Sequence, residues 1–475
     1  MKSSARTQKS LERGPLSWIL SALVLITLYF QTNLYDPFNS PKSWILLLIA
    51  SWLLGYIFAF RKILFTDDNL KISFALAVLF MFATTLATLF TDSKFVAVFG
   101  EALRRNGYLS YISLSIIFVA SIIFIRTFNV SRFFITTIWI SLVITIYASM
   151  QSTGNDFVAW NNPYNRIIGT LGNPNFAAAV MAIIGVLVFC VVLIDDFKLH
   201  YRLASVFISL VLLYLIFRSG ARQGLLVYLI GVSIFFTIFL FGKRKKIAIF
   251  LTIALVFLFA FGVLGMLQIG PLERYLYKPS VSVRGYYWRA GLEMFLSNPI
   301  LGIGMDRYGA YFKEYREAGY SLTYGYNITS SNAHNTFIQF FATGGAVLGL
   351  SYLLLNAFIL KCAITGMRKH SGNNQLRLAG VFAAWVAFHA QSLISIDNIG
   401  VSIWGWILAG SIIGISVSSN SNLLDDRKKY IGSPTKIDLN RLMISTIFVT
   451  IAIAIVSISY RGEADSYNAL SLIHI

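Results

Sequence analysis

The stretch that decides the fold is GLLVYLIGVSIFFTIFLFGKRKKIAIFLTIALVFLFAFGVLGML, residues 224–267. It holds two apolar runs, each long enough to cross ~30 Å of hydrocarbon. Between them stand Lys243, Arg244, Lys245 and Lys246. Apolar runs of the same kind recur outward from this stretch, near residues 16–31, 43–60, 72–91, 107–125, 133–150, 175–194, 203–217, 335–360, 378–394, 399–417 and 442–460. With the runs at 224–241 and 247–267, that makes about 12–13 spans. The run at 203–217 is short and reads as tilted or partly re-entrant. Composition agrees: 57% of the 475 residues are hydrophobic and 12% charged, against about a quarter charged in soluble chains. No soluble fold buries that much apolar surface, so most of the solvent is lipid. The expected class is an all-α polytopic transmembrane bundle.

The formal charge of +19 raises the question of where the bases sit. With the N-terminus placed in the cytoplasm, Lys and Arg collect on alternate loops, and the tetrad 243–246 marks one cytoplasmic turn. This is the positive-inside pattern. It accounts for most of the net charge with anionic lipid as the partner, and no nucleic acid is expected. The basic segment from Met1 to Arg13 runs directly into the first apolar stretch with no clear small-residue cleavage site, so the first helix reads as uncleaved. An odd number of spans puts the C-terminus outside. Cys190 and Cys362 read as small apolar fillers.

Three parts follow: N-terminal helices over 1–150; a core over 151–417 that includes one large extracytoplasmic loop, 268–334; and 418–475, a cytoplasmic linker, a last span and the start of an extracytoplasmic tail. A long ordered loop in a compact protein is usually functional. Within it, Trp288 to Leu296 predicts a short helix closed by Asn298-Pro299, and Tyr308 to Ala318 a second, amphipathic one.

Four constellations fall on the predicted outside. Gly169-Thr170-Leu171-Gly172-Asn173-Pro174-Asn175 is turn chemistry. It reads either as a tight turn whose Asn173 or Asn175 caps the next span, or as an amide surface facing a polar ligand. Arg218-Ser219-Gly220-Ala221-Arg222-Gln223-Gly224 puts two arginines in a very short outside turn, against the charge rule. They either snorkel to lipid headgroups or form an anion site, since the guanidinium fork matches phosphate oxygens at any relevant pH. If Arg222 opens the next helix, its free amides add positive potential. Arg284-Gly285-Tyr286-Tyr287-Trp288-Arg289, followed by the Gly302-Ile303-Gly304 turn, pairs aromatics with arginine. That pairing suits a sugar or headgroup, or an interfacial aromatic belt. Ser331-Asn332-Ala333-His334-Asn335 leads into Gly344-Gly345. His334 packs, caps or titrates at the mouth of a span. No Gly-rich phosphate loop, HExxH or Cys/His cluster is present, and neither a metal nor a cofactor is expected.

Taken in order, these pieces resemble the O-antigen ligase and O-antigen polymerase superfamily (the Wzy C-terminal family), which includes bacterial protein O-oligosaccharyltransferases. The matching residues are 169–175, Ser219 to Arg222, Arg284 with Trp288, Asn298 to Gly304, His334-Asn335, and Gly344-Gly345 with Gly349-Leu350. The resemblance covers roughly 165–400; the family's Ser-Arg pair is here Ala221-Arg222, with the serine displaced to Ser219. It implies a GT-C-like membrane glycosyltransferase of the bacterial inner membrane, acting in lipopolysaccharide or other envelope polysaccharide synthesis. The donor would be an undecaprenyl-diphosphate-linked glycan and the acceptor a lipid A core, growing polysaccharide or protein, on the extracytoplasmic face. It places Arg222, Arg284 and His334 in catalysis. Substrate binding is expected of Arg218, Arg289, Asn173, Asn175, Asn335 and Trp288. Arg222 and Arg284 would neutralise charge building on the leaving diphosphate. His334 would take the acceptor's proton, on the expectation that its pKa lies near working pH. The rival class is a transporter or lipid flippase, which paired charges deep in the spans or inverted repeats would favour.

Overall fold

The computed structural model describes residues 2–127, 130–160, 162, 166–266, 271, 279–418 and 439–473. The first part of the large loop and the linker 419–438 lie outside the described residues. The helices, in chain order, are α1 (Lys2–Leu28), α2 (Asn39–Phe60), α3 (Asp68–Leu89), α4 (Lys94–Phe99), α5 (Tyr108–Thr127), α6 (Ser131–Ser152), α7 (Pro174–Val191), α8 (Leu199–Arg218), α9 (Arg222–Phe241), α10 (Lys245–Met266), α11 (Pro279–Ser297), α12 (Tyr308–Tyr315), α13 (Ala318–Tyr324), α14 (Thr336–Lys369), α15 (Gly372–Ser392), α16 (Ile399–Val417) and α17 (Leu439–Ile473). No strand is found among the described residues. The protein is a polytopic helical membrane protein. Ten of these helices are long and apolar enough to cross a bilayer. All 13 apolar runs of the sequence fall on helices, the other three being α1, α10 and α15.

Three expectations change. The run at 203–217 is a continuous 20-residue helix, α8, because Leu199 to Arg202 join its first turn. The helix expected at 288–296 begins at Pro279 and runs 19 residues. The one expected over 308–318 ends at Tyr315, where Arg316 (ψ 144°) and Glu317 (ψ 146°) turn extended before α13.

Burial sorts centre from rim. The apolar stretch of α16 is 100% buried and that of α7 is 89% buried, against 28% for α9 and 11% for α17. Without a hydrophobic drive between helices in lipid, close approach depends on small residues. α16 packs on α5 at Gly410, where a Cβ would lie 2.5 Å from the Phe118 carbonyl oxygen. Hydroxyls in the spans return to carbonyls one turn back, as Thr84 to Phe80, Ser121 to Ile117 and Ser411 to Ile407. Hydrocarbon offers them no other partner.

One end of the bundle carries a polar network that ties distant segments together. Asn398 Nδ2 donates to Asn39 Oδ1 at 2.7 Å, Asn39 Nδ2 to the Leu103 carbonyl at 2.9 Å, and Asn106 Nδ2 to the Asp397 carbonyl at 2.7 Å. Glu463 of α17 accepts from Ser40 Oγ at 2.8 Å and pairs with Arg105. The loops at this end hold the four constellations.

Candidate functional site

The long loop is fixed by two glycine pairs. Ile303 and Gly304 donate their amides to the Ala342 and Thr343 carbonyls at 3.0 Å each. Ala346 N returns a bond to Pro299 O at 2.8 Å. A helix can accept such ladder-like bonds only where its own hydrogen bonding is interrupted. α14 is interrupted at Gly345, whose φ of 60° and ψ of −160° are non-helical. Gly302, at φ 65°, lies so close that a Cβ would stand 2.5 Å from Gly344 N. The Asn298–Gly304 turn and the Gly344-Gly345 pair are therefore one joint.

Beyond this joint, Arg307 pairs with Asp92 (3.0 Å) and Tyr311 donates to the same carboxylate at 3.2 Å. The Arg307 guanidinium holds the Asp92 carboxyl below the usual carboxylate range. A cluster of Tyr287, Tyr308, Phe312, Tyr320, Ala290 and Met294 then forms a small core of the loop's own.

His334 sits on this core, partly buried, its ring stacked on Tyr287 with centroids 5.2 Å apart. Its amide donates to Asn332 Oδ1 at 3.0 Å, in a turn that holds it at φ 54°. Asn335, next in sequence, caps α14: its Oδ1 accepts from Phe337 N at 3.0 Å and Ile338 N at 3.1 Å. The expectation that His334 titrates near working pH is overturned. Burial, then the positive charges of Arg284 and Arg104, push its pKa down to about 3. A largely desolvated imidazole near two guanidinium groups stays neutral because protonation would add a third charge that water screens poorly there.

Arg284 lies in α11, three residues before Tyr287. Its Nη2 reaches Gln223 Oε1 at 3.5 Å. Burial lowers its pKa from the ordinary arginine value. Gln223 follows Arg222, which opens α9 with its side chain exposed. The cap residue, Ala221, makes no side-chain cap bond, so the first amides of α9 add their positive end to the arginines. Gln223 Nε2 is buried without an acceptor, a further donor at this spot. The structure thus brings Arg284 to His334 on one side and to the start of α9, with Arg222, on the other.

The remaining expected residues go elsewhere. Arg289 is exposed, ion-paired to Glu317 (Nη2–Oε2 3.1 Å) and laid over the Tyr286 ring at 4.7 Å. Arg218 is exposed, and its Nε donates to Ser152 Oγ at 3.3 Å, tying α8 to α6. Asn173 caps α7, its Oδ1 accepting from the amide of Asn175 at 2.9 Å. Trp288 Nε1 is buried without a partner. Among the described residues, no group of three or more His, Cys, Asp or Glu is placed to hold a metal ion.

Sequence reasoning missed Arg104. Its Nε donates to Ser331 Oγ at 3.3 Å, three residues before His334. The signal was available: Arg104-Arg105 is a pair of bases in a short loop on the basic-poor side, the same violation that singled out Arg218 and Arg222.

Comparison with known proteins bears on the same region. A teichuronic acid biosynthesis protein, TuaE of Bacillus subtilis (strain 168), is 25% identical over 237 residues, which is 47% of this chain and 47% of that protein. The chain thus aligns with about half the length of that relative. The family model described as O-Antigen ligase matches residues 206–353, which include Arg218, Arg222, Arg284, Trp288, Arg289, His334 and Asn335. Residues 206–353 of this polytopic membrane protein are therefore an O-antigen ligase family domain.

Proposed function

We propose that the protein is a membrane glycosyltransferase of envelope polysaccharide synthesis. It moves a glycan from a polyprenyl-diphosphate carrier to an acceptor hydroxyl at the extracytoplasmic face of the bacterial inner membrane. The observation that carries this reading is the convergence of Arg284, the Arg222 end of α9 and His334 at one end of the bundle. The positive-inside pattern supports reading that end as the outer one.

In the reaction, the acceptor oxygen bonds to the anomeric carbon as the bond from that carbon to the carrier's phosphate oxygen breaks. The electron pair leaves on the diphosphate, and the acceptor's proton passes to His334. Arg222, Arg284 and the free amides of α9 stabilise the charge that grows on the leaving group, with donors already in place. The neutral imidazole then has a simple role. It is too weak a base in the free protein, where burial and two arginines hold its pKa near 3. A bound diphosphate offsets those arginines and raises its proton affinity. The base is thus switched on by the donor.

The test is reconstitution of the full chain in liposomes with radiolabelled polyprenyl-diphosphate glycan and an acceptor. Label on the acceptor is the expected result; label carried across the bilayer unaltered would make the protein a flippase and overturn the reading. In the same assay, kcat/KM reports the free protein and kcat the donor complex. The acid limb assigned to His334 should therefore lie at lower pH in kcat/KM than in kcat.

A further inference from the structure

Among the described residues, four non-glycine residues adopt left-handed backbone: Leu103 (φ 68°), Arg105 (φ 57°), Asp306 (φ 53°) and His334 (φ 54°). All four belong to one patch, and Leu and Arg rarely occupy that region without cause. Leu103 and Arg105 flank Arg104 on both sides. The neighbours are also clamped. Asn39 Nδ2 donates to the Leu103 carbonyl at 2.9 Å. Arg105 donates to Ser40 Oγ at 3.0 Å and pairs with the buried carboxylate of Glu463. Glu101, at the start of the loop, donates its amide to Asp306 Oδ2 at 2.6 Å. The strain and the clamps fix one residue between them, Arg104, whose Nε meets Ser331 at 3.3 Å.

Charge gives this placement a purpose. Arg104 and Arg284 both act on the His334 ring, from chain segments 180 positions apart. The groups facing them are the Tyr287 ring, Ser331, and the carboxyls of Glu101 and Asp306 behind Arg104. Burial pushes the pKa of Asp306 up to about 7, so that carboxyl does not fully offset Arg104 near neutrality; burial raises the pKa of Glu101 as well. Like charges held together beside a neutral ring are unfavourable unless an anion completes the site.

Resting on the glycosyl-transfer reading above, we infer that Arg104 is a third phosphate-binding cation of the site: the 100–107 loop supplies it to one phosphate of a carrier diphosphate whose other phosphate meets Arg222 and Arg284. Three guanidinium groups from three segments match a diphosphate better than a single phosphate, since each charged hydrogen bond adds to the total.

The experiment measures binding of undecaprenyl diphosphate and undecaprenyl monophosphate to the full chain in zwitterionic nanodiscs. Wild type should prefer the diphosphate. Arg104→Ala should lower diphosphate affinity about 10–100-fold, the effect of one charge-assisted bond, and change monophosphate affinity less than about threefold. Arg104→Lys should recover part of the loss. Arg104→Gln keeps a donor for Ser331 without the charge, and should fail as Arg104→Ala does; it carries the test if the alanine variant does not accumulate. Equal loss of both ligands, or wild-type preference in Arg104→Gln, would make Arg104 a strut of the loop and overturn the inference. Wild type that binds neither lipid would instead sink the glycosyl-transfer reading as a whole.

Discussion

Two loops meet at His334, and they could hardly differ more in sequence. The long one, 279–334, is dense with aromatics, glycine turns and arginines. The short one, 100–107, reads Gly-Glu-Ala-Leu-Arg-Arg-Asn-Gly and carries no recognisable motif. Yet each contributes two left-handed non-glycine residues to the same patch. The long loop builds a small aromatic core and stands on it. The short loop has no such core and is held by side chains from α2, α17 and the long loop itself. The contrast teaches that richness of motif measures how much structure a segment must make for itself, and not how close it comes to His334.

The comparison breaks first within the long loop. Arg284 and Arg289 lie on one helix, five residues apart, hence roughly 140° around its axis. One faces His334 and the other Glu317. Arg284→Ala should lower kcat about 10²–10³-fold while the protein stays in the membrane, the scale seen when one preorganised donor is removed. Arg289→Ala breaks an exposed pair and should change stability by about 1 kcal/mol at most, with transfer retained. Transfer that survives Arg284→Ala and dies with Arg289→Ala would reverse the assignment of the two faces.

A smaller effect probes the joint beneath the long loop. Gly345→Ala places a Cβ 2.3 Å from the Ile300 carbonyl carbon, at a backbone angle suited to glycine. It should cost about 1–3 kcal/mol through strain alone, visible as a lower melting temperature and faster proteolysis within 298–304. Gly349→Ala, further along the helix, has atoms of the Phe341 ring as its three nearest neighbours, a side chain that can yield, and should cost less. Equal losses at the two glycines would mean that the joint is no special constraint.

The smallest effect is in pH, and it sharpens the contrast because His334 and Asp306 carry opposite signs. Below the unfolded histidine value of ~6.5, unfolded His334 binds a proton that the folded ring, at about 3, refuses. Its contribution to stability is therefore lost as pH falls from 6.5 towards 3. Asp306 is the reverse. Its folded pKa of about 7 lies above the unfolded value, so its contribution is present below the carboxylate range and lost as pH rises through 7. Each slope is at most about 1.4 kcal/mol per pH unit. Measured against wild type by denaturation between pH 4.5 and 6.5, roughly the window the two pKa shifts define, His334→Asn should gain relative stability as pH falls, and Asp306→Asn as pH rises. Parallel trends in the two variants would refute the opposed burial of base and acid.

Much of the architecture was legible because lipid imposes a coarse rule. A span needs about 20 apolar residues, so every apolar run became a helix, and even the short one at 203–217 only gained a first turn. The cap at Asn173 and the end of α8 at Arg218 followed from local turn chemistry. The place of His334 at the mouth of a span was legible. Its protonation was not, because a pKa depends on burial and on charges brought from residues 104 and 284.

What the sequence determined by itself is the set of spans, their alternation of basic loops and the arginine and histidine positions of the matched domain, since length, hydropathy and turn residues act over a few neighbours at a time. The tertiary structure alone decided which arginines face the histidine. Arg218 and Arg289 are tied off by Ser152 and Glu317, while Arg104 arrives from a segment outside the matched domain. Side-chain partners over such separations are set by how helices pack and loops close over them, and no local pattern encodes that.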